Sequence, residues 1–136
     1  MGYRSDVRIR LKKNDFEKLK VDFKEKVQEP NNDKYYGYDM FGRDLDVCKE
    51  IKNVPCWKVT DDGEDIEESH DCVFFGWNSV KWYDGYEEVD FIMNFIQDCD
   101  HYAFARIGES GEGDIETHEQ NMDMIGFYYA FDEEEE

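Results

Sequence analysis

The spacing of apolar residues changes period within the first 28 positions, and that change limits the fold more than any other feature. Over residues 3–12, Tyr3, Val7, Ile9 and Leu11 alternate with Arg4, Asp6, Arg8, Arg10 and Lys12. A period of two marks a half-buried strand with a basic outer face. Phe16, Leu19, Phe23 and Val27 then recur at intervals of three, four and four, the stripe of an amphipathic helix over residues 15–28. Asn14 and Glu17 have the layout of a capping pair, and Pro30 ends the run. A strand with one apolar face, followed almost at once by a helix with one apolar stripe, predicts a helix packed on a sheet.

The remaining chain extends this pattern. A short helix is expected around Leu45, Cys48 and Ile51, and an edge strand at 54–60, where Pro55 removes a ladder donor. Strands are expected at 72–77 and 79–83, joined by a tight turn near Trp77 and Asn78. Val89, Ile92, Met93 and Ile96 predict a second helix over 86–98, with Asp84 and Glu87 as its capping pair. Strands follow at 101–107 and 114–119, with glycines 108, 111 and 113 forming the turn between them. A last strand is expected at 124–131, apolar on both faces. The expectation is an α+β fold: a two-layer sandwich, mainly antiparallel, with two helices on one face and some ferredoxin-like character. Residues 1–131 would form a single domain, and the acidic residues 132–136 a disordered tail.

Charge is distributed unevenly over this pattern. Residues 1–60 carry 14 basic and 11 acidic side chains, whereas residues 61–136 carry 2 basic and 24 acidic, within a net charge of -19. A small domain needs a net charge of only about 2–8 to stay soluble. Strong acidity with few aromatics would mean disorder, but 16% of this chain is aromatic, enough to build a core. The negative charge therefore belongs to a folded surface, and a surface of that sign steers toward basic partners. An anionic membrane would repel it, and no apolar run approaches the ~20 residues needed to span a bilayer.

Known chemistries find little support in the residue spacing. Cys48, Cys56, Cys72 and Cys99 form no CxxC pair and read as buried free thiols, with no metal site or cofactor implied. His70, His101 and His118 accompany no nucleophile elbow, so no catalytic residues are assigned. The window 61–71 lacks the calcium-loop order. Glu109 and Glu112 spoil the glycine turn as a phosphate cradle. Arg4, Arg8 and Arg10 could hold a phosphate, as a nucleotide-binding protein would, but pairing with neighbouring acids is favoured. The candidate partner-binding residues are then Asp61, Asp62, Glu64, Asp65, Glu67 and Glu68, with Glu109, Glu112, Asp114 and Glu116 from the later hairpin. Tyr35, Tyr36 and Tyr38 join them as loop tyrosines of the kind enriched at interfaces.

Three segments carry a family resemblance. The opening Met1-Gly2-Tyr3-Arg4-Ser5-Asp6-Val7, the run Val80-Lys81-Trp82-Tyr83 leading into Tyr86-Glu87-Glu88-Val89, and Phe104-Ala105-Arg106-Ile107-Gly108-Glu109 followed by Asp114-Ile115-Glu116 resemble a group of small bacteriophage and prophage proteins. The group supplies no activity to carry over. The resemblance implies a non-enzymatic inhibitor acting in the cytoplasm of a bacterial host, of the anti-CRISPR kind. Combined with the acidity, it points to a host protein with a basic nucleic-acid-binding surface as the partner, and to nucleic-acid mimicry as the means. The alternatives are a small-ligand or nucleotide binder and a phage accessory protein.

Overall fold

The computed structural model describes residues 4–30, 39–109 and 114–122. Its elements are β1 (Ser5–Lys12), α1 (Lys13–Phe23) continued by a π-helical turn (Lys24–Gln28), β2 (Val47–Val59), β3 (Asp65–Val80), α2 (Glu87–Gln97), β4 (Tyr102–Gly108) and β5 (Ile115–Gln120). They form an α+β fold, a five-stranded antiparallel sheet of order β2-β3-β1-β4-β5 with two helices packed on it. The β-α-β-β-α-β order, with β1 between β3 and β4, is the split-βαβ arrangement expected from the ferredoxin-like reading. β5 extends it outside β4.

The helix-side core forms because three periods agree. Val7, Ile9 and Leu11 of β1, Val73, Phe75 and Trp77 of β3, and Phe104 of β4 alternate onto one face. Phe16, Leu19, Phe23 and Val27 descend on them from the first helix, and Val89, Ile92 and Ile96 from the second. Phe16 meets Phe75 at 4.6 Å, and Trp77 stacks on Trp82 at 5.7 Å. The opposite face carries a smaller apolar cluster of Val54, Cys56, Cys72, Phe74, Ala103, Ala105 and Met122.

Several local expectations are corrected. β1 is central and covered on both faces, so Arg8 is buried. Its guanidinium donates to the Val7 and Trp77 carbonyls and to Asn78 Oδ1, while Arg10 lies over the Phe74 ring. Asn14 does not cap α1, because the helix begins directly from β1 with Lys12 at the cap position. Nor does Asp84 cap α2, where Tyr86 holds that position. Residues 47–51 are strand, not helix: they open β2, which runs to Val59 and alternates in burial up to an irregularity at Asn53 and again just after it. The strand expected at 72–77 is part of β3, which runs on through the irregularity at Ser79 (φ 56°) to Val80 without turning back, and residues 81–83 are not strand. The thiols are free, but Cys48 is exposed. The strand expected at 124–131, the tail 132–136, and Tyr35, Tyr36, Tyr38 and Glu112 lie outside the described residues.

Candidate functional site

β2 and β3 are much longer than their neighbours, and the excess length builds the site. β1 ends at Lys12, which faces Cys72 of β3. The β2–β3 ladder continues beyond that rung, from Val54 opposite His70 to Val59 opposite Asp65. Six further rungs at ~3.4 Å each make a two-stranded arm of about 20 Å. Thr60 to Glu64 close its tip, with Gly63 at φ 84° supplying the left-handed turn residue. The window expected as a hairpin loop or exposed insertion is thus a short turn plus an ordered strand.

A break in register bends the arm at its root. The β2–β3 pairing shifts between Ile51 and Val54, where Asn53 takes φ 56° and donates its N–H to Asp71 Oδ1. Bulges of this kind increase twist and redirect a strand. The bent arm meets the chain that follows β5: the Trp57 N–H donates to the Asn121 carbonyl at 3.0 Å, and Cys56 bridges to Met122.

The arm displays its acids. Asp61, Asp62, Glu64, Asp65 and Glu67 are all exposed, and their side chains have no ion-pair partner among the described residues. Glu68 differs. It is partly buried, accepts from His70 Nε2 at 3.1 Å, and lies 3.3 Å from His101 Nε2. The His70 hydrogen bond holds its carboxyl below the ordinary value, against a smaller upward push from burial.

The second acidic group lies elsewhere and is engaged differently. The arm leaves the sheet beyond Lys12, whereas the end of β4 and the start of β5, Gly108 and Ile115, lie at the opposite end, with Gly108 beside Ser5. Arg106 binds this region together, with Nη2 on Asp114 at 3.0 Å, Nε on Glu116 at 3.1 Å and Nη1 on Ser5 Oγ at 2.9 Å. Glu109 accepts the backbone N–H of Arg4 at 2.9 Å. The two acidic groups therefore do not converge.

The Arg106 cluster leads to a test by pH. Partial burial pushes the Glu116 carboxyl up, but hydrogen bonds from His118 and Arg106 outweigh it and hold the group below its ordinary value. A depressed carboxyl stabilises the fold above its unfolded-state pKa, and that contribution disappears as pH falls through the folded value. Arg106→Gln is expected to cost about 1 kcal/mol at pH 7, because Glu116 is 44% exposed and solvent screens the pair. Urea melts should show the gap between variant and parent closing below about pH 4.

Two further places contain functional groups. A cavity of about 800 Å³ near the start of α2 is lined by Arg4, Arg43 and Lys81, but also by Asp44, Asp46, Glu87 and Glu88. Under the bent arm, Glu68, His70 and His101 bring one ligand atom each within 4.8 Å of the others. Spacing alone did not join these residues. Their only sequence trace is Glu68-Ser69-His70, where alternation on a strand puts the outer two on one face. Compared with protein-family models, curated proteins and solved structures, the chain matches none.

Proposed function

We propose that this protein is a non-enzymatic binding module of phage type. The β2–β3 arm would present carboxylates to a basic nucleic-acid-binding surface of a host defence complex, acting as a nucleic-acid mimic. One observation carries the reading: the carboxylates from Asp61 to Glu67 are exposed, have no ion-pair partner among the described residues, and lie toward the tip of an arm that extends past the end of β1. A projecting pair of strands with anions along it can enter a groove shaped for a charged backbone, and its field accelerates encounter. Asp114 and Glu116, already bound to Arg106, contribute long-range field more than contact. A small anionic ligand held by the basic strand is less supported, because Arg8 and Arg10 do not line the cavity that Arg4 borders.

The test is charge reversal. With a purified host nuclease complex as partner, Asp61→Lys, Asp62→Lys, Glu64→Lys and Asp65→Lys combined should weaken binding by about 100-fold or more at 50 mM salt. The parent's affinity should fall steeply between ~50 and ~300 mM salt, and duplex DNA should compete. Binding that is indifferent to both reversal and salt would rule out mimicry by the arm.

A further inference from the structure

We propose that Glu68, His70 and His101 form a binding site for a divalent transition-metal ion of the zinc class, joining the arm to the start of β4. The inference is independent of the partner reading above.

The geometry is close to that of a coordination shell. Zinc ligands lie at about 2.0–2.2 Å from the ion, which places neighbouring ligand atoms about 3.3 Å apart in a tetrahedral site. Two of the three edges already have that length: Glu68 Oε2 is 3.1 Å from His70 Nε2 and 3.3 Å from His101 Nε2. The third edge is within 4.8 Å, so a modest turn of one exposed imidazole closes the triangle. Two imidazoles and one carboxylate suit zinc, cobalt or nickel better than calcium or magnesium, which prefer oxygen.

The backbone assembles these groups without an ion. Glu68 and His70 are alternate residues on β3, while His101 directly precedes β4. The bulge at Asn53 and the Trp57–Asn121 hydrogen bond bring the two places together. His70 and Glu68 are each about one-third exposed, which leaves an approach for the ion and an open position for water. The unpaired arm acids nearby raise the local cation concentration.

His101 is 5% exposed, and its Nδ1 is buried with no hydrogen-bond partner among the described residues. The ring atom that faces Glu68 is the other nitrogen, Nε2. Nε2–H now donates to the Trp57 carbonyl at 2.9 Å and also faces Glu68. An ion on Nε2 takes the place of that hydrogen bond, and the single imidazole proton moves through solvent from Nε2 to Nδ1, with no net proton released.

The experiment uses Co2+ as a spectroscopic probe on the full chain, followed by Zn2+ displacement. One equivalent should give tetrahedral-type ligand-field absorption that zinc abolishes, and saturating zinc should raise Tm by about 5–10 °C. His70→Ala and Glu68→Gln, both at partly exposed positions that tolerate change, should each weaken binding by at least about 10–100-fold. Cys56→Ser and the four-residue arm reversal should leave the cobalt spectrum intact. Absence of ligand-field absorption, or a spectrum that survives His70→Ala and Glu68→Gln, would overturn the site. In the second case, loss of the spectrum with the arm reversal or with Cys56→Ser would identify carboxylates or a thiol as the true ligands.

Discussion

Replacing Gly76 by alanine is expected to destabilise the protein by about 3 kcal/mol or more, the upper end for overpacking, because the obstacle is backbone and cannot rotate away. A Cβ at this position would overlap the Val7 carbonyl oxygen and lie 2.9 Å from Arg8 Cδ. That carbonyl accepts the Arg8 guanidinium at 2.9 Å, so Gly76 makes room for a buried arginine lying across the central strands. Total stability for a domain is roughly 5–15 kcal/mol, so the variant should melt lower by on the order of 10 °C. Thermal unfolding followed by circular dichroism measures this directly. A loss under about 1 kcal/mol would mean that β1 and β3 slide apart without penalty, which their double pairing argues against.

Trp77→Ala should be as damaging, by about 3–5 kcal/mol. The side chain is fully buried, packs edge-on to Phe41 and Phe75, stacks on Trp82, and donates Nε1–H to the Met40 carbonyl at 2.6 Å. Trp77→Phe separates these contributions: it keeps much of the ring contact but leaves Met40 without its donor, and should cost about 1–3 kcal/mol. Urea titration of both variants distinguishes packing from hydrogen bonding. Equal losses would show that the ring itself contributes little.

Elements with strong periodicity were legible from the sequence. The stripes Phe16–Leu19–Phe23–Val27 and Val89–Ile92–Ile96 face the sheet as expected, and β1, β4 and β5 fall close to their predicted places. The errors have physical causes. Leu45, Cys48 and Ile51 are spaced like a helix face, but residues 47–51 are half of an edge strand whose partner fixes its conformation. Trp77 and Asn78 look like a turn, yet Asp46 accepts the Asn78 N–H and Asp6 accepts that of Ser79, carrying the strand on to Val80. The candidate site divides the same way. The acidity of 61–68 is plain in the sequence, but its display on an arm depends on β1 stopping at Lys12. His70 and His101 are distant in the chain, and the bend at Asn53 together with the contacts of Trp57 to Asn121 and His101 brings them together.

The central position of β1 has a consequence in time. β1 precedes both of its pairing partners, β3 and β4, in the chain. At ~5–20 residues per second, β4 emerges roughly 5–20 s after β1. The β2–β3 hairpin can form locally in that interval and pair with one edge of β1, but the other edge waits for β4. The sheet is therefore completed late, and a chain interrupted before Tyr102 would leave the β4-facing edge of β1 unpaired and open to its neighbours.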